Sequence, residues 1–216
     1  MTPNKEDYLK CIYEIGTDMQ KITNKEIAAR MQVSPPAVTE MIKRMKSENL
    51  ILKDKVNGYL LTDIGLKLVS ELYRKHRLIE VFLVHHLDYT SDQIHEEAEV
   101  LEHTVSDLFV ERLDKLLGFP QTCPHGGTIP VKGELLVEIN NLPLAAVQEA
   151  GTYLLTRVHD SFELLKYLEK HAIHIGDQLQ VKQFDGFSNS FTLVNKDEDI
   201  QVSMDIAKQL YVEKIN

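Results

Sequence analysis

From Lys5 to Leu117 the apolar residues return every three or four positions, the interval that gathers them on one face of a helix. Residues 5–16 put Tyr8, Cys11, Ile12 and Ile15 on one side, which predicts a short amphipathic helix. Two more such patterns, TNKEIAARM and SPPAVTEMIKRMKSENL, fill residues 23–48. In LILKDKVNGYLLTD, Asn57-Gly58 stands between two apolar pairs and predicts the turn of a β-hairpin. Asp63 opens a long helix to about Leu87. A second is expected from about Ser91 to Leu117, with Ile94, Ala98, Leu101, Val105 and Leu108 as its apolar stripe. After Gly118 the pattern dissolves, and FPQTCPHGGTIPVKGE predicts an ordered loop or linker. From about Gly151 the chain offers one helix, DSFELLKYLEKH, followed by IGDQLQVKQF, FTLVN and IQVSM, which alternate with the period of strands. The fold class this predicts is mainly α with small β, the β part being a barrel of about 65 residues at the end.

The stretch from Ser34 to Leu50 carries a sharper signal. Ser34 is a good N-cap, and Pro35 and Pro36 suit a first turn, where a missing N–H costs nothing. Val38, Met41, Ile42 and Met45 fall on one face; Pro36, Glu40, Lys43, Arg44 and Ser47 lie opposite. A short helix with a polar, basic outer face, preceded by KEIAARM and a tight turn at Gln32-Val33, is the helix-turn-helix pattern. The hairpin at 51–61 then serves as a wing, with Lys53 and Lys55 placed for phosphates. On this basis Ser34, Pro36, Thr39 and Glu40 face base edges, while Lys43 and Arg44 take phosphates. The plainer alternative is a helical hairpin with a solvated basic face.

Charge supports the first alternative by its distribution. The chain carries a net charge of −9, which on its own argues against a nucleic-acid partner. Yet residues 21–60 hold eight Lys/Arg against four Asp/Glu, a basic island in an acidic protein. No apolar run approaches the roughly 18 residues of a membrane span, and MTPNKEDYLK lacks a signal peptide's apolar core, so a cytoplasmic location is expected. Two cysteines, Cys11 and Cys123, make no disulfide framework.

A second chemistry sits on the two long helices. His95, Glu99, Glu102 and His103 share one arc at i, i+4, i+7 and i+8, so that carboxylates and imidazoles one turn apart can converge on an ion. On the preceding helix His76 and Glu80 lie within the apolar stripe of Leu66, Val69, Tyr73 and Leu83. Burying both is costly unless they pair or bind metal. Cys123-Pro124-His125 is a third candidate set, and Asp160 and Glu163 a fourth, although those two acids suit a helix N-terminus equally well. Two rival functions remain at this point. One is a metal-dependent hydrolase, against which no nucleophile motif or phosphate-binding Gly loop is present. The other is a winged-helix regulator of a small organic ligand, in which the acids are structural.

Taken together, NKEDYLKCIYEI, the helix-turn-helix, RKHRLIEVFLV, HEEAEVLEHTVSD, CPHGGTIP and the barrel-like tail resemble the diphtheria-toxin-repressor/MntR family of metalloregulators, and within it the streptococcal manganese regulators. The resemblance spans essentially the whole chain. It implies a winged helix-turn-helix domain at 1–70, a helical dimerisation and metal-binding domain at 71–140, and an SH3-like (FeoA-type) domain at 150–216. It also implies a primary metal site of Asp7, Glu99, Glu102 and His103, and a secondary one drawn from His76, Glu80, His95, Cys123, His125, Asp160 and Glu163. The function implied is a manganese-dependent DNA-binding repressor of metal uptake genes, a homodimer on palindromic double-stranded operator DNA and not an enzyme. Its corepressor would be Mn(2+), with Fe(2+) or Zn(2+) as alternatives. Oxygen ligands at Asp7 and Glu99 suit manganese, where iron-sensing relatives carry sulfur. One departure concerns Lys10, which stands where two-domain manganese members carry a second carboxylate.

Overall fold

The computed structural model describes residues 3–17, 21–90, 93–196 and 198–215, and it divides into two compact units. Residues 1–76, 102–105 and 130–136 form the first; residues 77–101, 106–129 and 137–216 form the second.

The first unit holds α1 (Pro3–Thr17), α2 (Asn24–Arg30), α3 (Pro35–Ser47), β1 (Ile51–Asp54), β2 (Gly58–Leu61) and the start of α4 (Asp63–Leu87). Its core takes Tyr8, Leu9, Cys11, Ile12 and Ile15 from α1, and Val38, Ile42 and Met45 from α3, the faces expected from their spacing. Ser34 caps α3, its Oγ accepting from the Ala37 amide at 3.4 Å, and Gln32 adopts the left-handed conformation that turns α2 into α3. Segment 130–136 is strapped to α4. The Leu136 amide donates to Ser70 Oγ at 2.8 Å, the Gly133 amide to Glu71 at 2.7 Å, and Arg74 donates to the Pro130 carbonyl at 3.0 Å.

The wing forms, but its turn differs from the expected one. Lys55–Asn57 make the turn, with Asp54 Oδ1 accepting from the Val56 and Asn57 amides at 2.8 and 2.6 Å. Gly58 is already the first residue of β2, paired with Asp54. Its role is close approach: φ is +86°, and a Cβ there would lie 1.9 Å from the Ile22 carbonyl oxygen. Ile22 bonds both neighbours, donating to the Asn57 carbonyl at 2.9 Å and accepting from the Tyr59 amide at 3.1 Å. It thereby forms an isolated parallel bridge to the wing at Gly58.

The second unit contains the end of α4, then α5 (Ile94–Leu101) and α6 (Asp107–Leu116) in place of the single helix expected to Leu117. The expected start at Ser91 lies outside the described residues. Ser106 causes the break by capping α6, its Oγ accepting from the Phe109 amide at 3.2 Å. Leu108, assigned to the apolar stripe, is exposed on α6, which starts afresh at its own cap and does not continue α5. The C-terminal region is a five-stranded antiparallel sheet in the order β6-β5-β4-β3-β7, from β3 (Gly151–Val158), β4 (Gln178–Asp185), β5 (Ser190–Asn195), β6 (Glu198–Ser203) and β7 (Leu210–Lys214). Helices α7 (Phe162–Lys170) and α8 (Met204–Ala207) accompany it, and Leu164, Leu165 and Leu168 of α7 join the sheet's core. Strands β3 and β7 were not expected from alternation. No described helix is long and apolar enough to cross a membrane.

Replacing Gly58 with alanine should lower the stability of the chain by about 2–4 kcal/mol in urea unfolding, from backbone strain and the clash with Ile22. A loss below about 0.5 kcal/mol would show that the contact with Ile22 is not required.

Candidate metal centres and nucleic-acid face

In the first unit α1 and the turn that follows Leu101 bring acids and imidazoles together. His103 Nε2 lies 2.8 Å from Asp7 Oδ1 and 3.4 Å from Glu102 Oε1, and its Nδ1 lies 2.7 Å from Glu6 Oε2. Ligand atoms of Asp7, Glu102 and His103 are all within 4.8 Å of one another. Glu102 is fully buried, with Oε2 at 2.6 Å from His76 Nδ1. Its other oxygen, Oε1, is buried and has no hydrogen bond, and lies 3.6 Å from Lys10 Nζ. A buried carboxylate oxygen with no hydrogen-bond donor, beside a second carboxylate and an imidazole, suits a hard dication. Glu6 escaped the sequence analysis. It stands at the His103 ring nitrogen opposite the one that faces Asp7, where a carboxylate would fix the tautomer of a metal-bound histidine. Its only sequence signal is adjacency to Asp7. Glu99 lies on α5, one turn before Glu102, with Oε1 at 3.8 Å from His95 Nε2.

The second unit holds a separate cluster. His125 Nδ1 lies 3.1 Å from Glu80 Oε1 and 3.4 Å from Asp160 Oδ1, and His95 Nδ1 is 2.9 Å from the same Asp160 oxygen. Ligand atoms of Glu80, His95 and Asp160 fall within 4.8 Å of one another, as do those of Glu80, Cys123 and His125. The CPHGG loop is built for this. The Gly126 amide donates to the Cys123 carbonyl and the Cys123 amide to the Gly127 carbonyl, both at 2.9 Å, while the Val158 amide on β3 donates to the His125 carbonyl at 3.0 Å. Burial works against a charged His125, but the Glu80 and Asp160 carboxylates outweigh it and hold its pKa up at about 11. Burial, with Glu80 beside it, pushes the Cys123 thiol up, and burial takes Cys11 up to about 12. Both cysteines are free and buried. His76 comes to Glu102 in the first unit, four residues before Glu80 on α4. Glu163 stands apart. It is exposed in the first turn of α7 and belongs to no such cluster among the described residues.

The residues expected on the DNA face are solvent-exposed: Ser34, Pro36, Thr39, Glu40, Lys43 and Arg44 on or capping α3, and Lys53 and Lys55 on the wing. Thr39 Oγ1 is tied down, donating to the Pro35 carbonyl at 3.0 Å and accepting from Asn24 Nδ2 at 2.9 Å. Arg44 lies 3.9 Å from Glu40, an exposed pair of little energetic weight.

Three family descriptions match the chain in succession: the iron dependent repressor N-terminal DNA binding domain over residues 1–58, the iron dependent repressor metal binding and dimerisation domain over 62–131, and the FeoA domain over 142–214. The diphtheria toxin repressor of Corynebacterium diphtheriae is 27% identical over 221 residues, covering 97% of this chain and 96% of its own. Among solved structures, ScaR with bound Zn2+ is 64% identical with a TM-score of 0.94, covering 98% of this chain and 99% of its own. The manganese regulator SloR is 59% identical with a TM-score of 0.92, both chains covered fully at 100%.

His125 keeps its proton to about pH 11 in the folded chain, whereas an unfolded histidine releases it near 6.5. The stabilisation this supplies is therefore complete below about pH 6.5 and fades as pH rises toward about 11. In excess chelator the melting temperature should fall between about pH 7 and 9, and His125→Gln should flatten that slope in scanning calorimetry. An equal slope in the variant would overturn the assignment.

Proposed function

Because this chain belongs to the iron-dependent repressor (diphtheria toxin repressor) family of DNA-binding regulators, we propose that it is a manganese-dependent transcriptional repressor of metal uptake genes, with the ion as corepressor. The observation that carries this proposal is the convergence of Asp7 on α1, inside the DNA-reading unit, with Glu102 and His103. Glu99 is the fourth ligand in this proposal, giving three carboxylates and one imidazole. That set of hard donors suits Mn(2+) better than a sulfur-bearing site would; Fe(2+) and Zn(2+) bind such donors more tightly still, so coordination geometry and ion supply select among them. Glu80, His95, Cys123, His125 and Asp160, with His76, make up the secondary site.

A dication bound at the first site supplies positive charge that cancels the mutual repulsion of Asp7, Glu99 and Glu102. The residues do the rest. Asp7 ties the first turn of α1 to the turn carrying Glu102 and His103, and Glu6 keeps the His103 ring turned with Nε2 inward. Holding α1 holds the body on which α3 is mounted, since Tyr8, Ile12 and Ile15 share a core with Val38, Ile42 and Met45. A coupling of about 1–3 kcal/mol per site changes DNA affinity by roughly 5–150-fold. A homodimer on palindromic DNA, acting in the cytoplasm, fits the matched dimerisation domain. It also fits the large apolar side chains left exposed at Leu87, Val100, Leu108, Phe109 and Leu116 of the second unit. Two recognition helices would then meet one face of the duplex about 34 Å apart.

Asp7→Ala should abolish Mn-dependent operator binding in a mobility-shift titration while the chain still dimerises; an intact metal response would refute the primary site. Lys43→Ala should weaken binding to every DNA sequence alike and reduce the salt slope by about one. Loss limited to one base position would make Lys43 a base reader.

A further inference from the structure

Lys10 is buried, although its side chain is long enough to reach water from almost any helix surface. Its ammonium is held in a fixed place. On one side lies Glu102 Oε1 at 3.6 Å; on the other lies the face of Tyr73, whose ring centroid is 5.6 Å away. Tyr73 is itself anchored, its hydroxyl donating to Glu14 at 3.0 Å and its ring packed on Tyr13 at 5.7 Å. Glu102 Oε1 is the same oxygen that faces His103 Nε2 at 3.4 Å, on the Asp7 side. One oxygen thus stands between a built-in monovalent cation and the place of a divalent one.

We propose that Lys10 is a tethered cation that competes with the metal ion for Glu102, thereby setting the affinity of the first site and confining it to one ion. The proposal rests on the metal-sensing function above. Without an ion, the ammonium and the His76 and His103 rings are the positive or donor groups facing a carboxylate that is out of water, and they keep it folded inside. When a dication arrives, it takes over part of that compensation and the ammonium becomes a like charge nearby. Affinity is therefore lower than three carboxylates would give alone, so that the site fills only when the free ion is plentiful. A second ion sharing Glu102 meets both the volume and the charge of Lys10. Position 10 is thus a specificity-determining position, and no ligand itself.

The test uses the full chain with Lys10→Met, Lys10→Gln, Lys10→Arg and Lys10→Glu. In excess chelator Lys10→Met and Lys10→Gln should melt below the parent and Lys10→Arg close to it; a Lys10→Met/Glu102→Gln pair should lose less than the sum of its single changes. In titrations that follow free Mn(2+) by its paramagnetic resonance, Lys10→Met or Lys10→Gln should fill the first site at about tenfold lower free ion, and Lys10→Glu should take up one more ion per chain. Unchanged or weaker affinity in both neutral variants, or additive losses in the paired change, would overturn the proposal. If the parent chain takes up no Mn(2+) the metal-sensing function itself falls, while the chelator cycle still decides whether Lys10 compensates Glu102.

Discussion

A carboxylate taken out of water must face positive charge, and among the described residues the two most deeply buried acids are Glu80 and Glu102, on elements that adjoin the candidate metal sites. Each has a substitute for an ion. Glu102 has the Lys10 ammonium and the His76 ring, and Glu80 has the protonated ring of His125. Each would compensate its carboxylate in the absence of an ion, and an ion binding there would have to compete with it. The same elements would otherwise pack as ordinary helices. Their function comes from placing acids where solvent cannot neutralise them.

The residues that close the two clusters come from distant parts of the sequence, and that limits what could be read in advance. Helices α1 to α4 were legible because their apolar spacing is regular, and α3 also because Ser34 is a strong cap. The break before Ser106 was not, since Val105 and Leu108 prolong the spacing of α5 as if the helix continued; only the serine's preference for capping marks the end. Strand β3 was missed because GTYLLTRV carries adjacent leucines that blur the period of two, although its burial alternates in the folded sheet. Within the sites, Glu99, Glu102 and His103 were visible from spacing, and His76 and Glu80 from their place in an apolar stripe. Asp7 entered through family resemblance alone. Glu6 and Lys10 look like solvated helix charges until the turn at 102–105 is folded against them, so no local pattern could have singled out their contacts. Glu163 joins no such cluster among the described residues and stands in the first turn of α7, a place the helix dipole also favours for an acid.

A further ion network is centred on Glu138, and its Arg77 borders the CPHGG loop at Gly127. Burial works against the charge of Glu138, but Arg77 at 2.6 Å and Arg157 at 3.9 Å hold its carboxyl below the usual range. Arg157 also donates to the Asn140 carbonyl at 2.7 Å and lies over the Tyr211 ring at 3.4 Å. Here the cations are permanent guanidinium groups that no change in pH or ion supply removes. One unit therefore contains both a fixed fastening and an exchangeable one. The contrast shows how burying an acid can serve either rigidity or sensing, depending only on which cation answers it.

The main-chain bonds between Ile22 and the wing have a mechanical consequence. Ile22 belongs to the short connection out of α1, yet it is hydrogen-bonded into the hairpin on both sides of Gly58. A displacement of Ile22 would be handed to the wing through backbone amides, which neither repack nor change rotamer, while α1 and α3 meet through packed side chains. Wing and helix are thus the two jaws of one caliper, the first gripped by main chain at Ile22 and the second by side-chain packing.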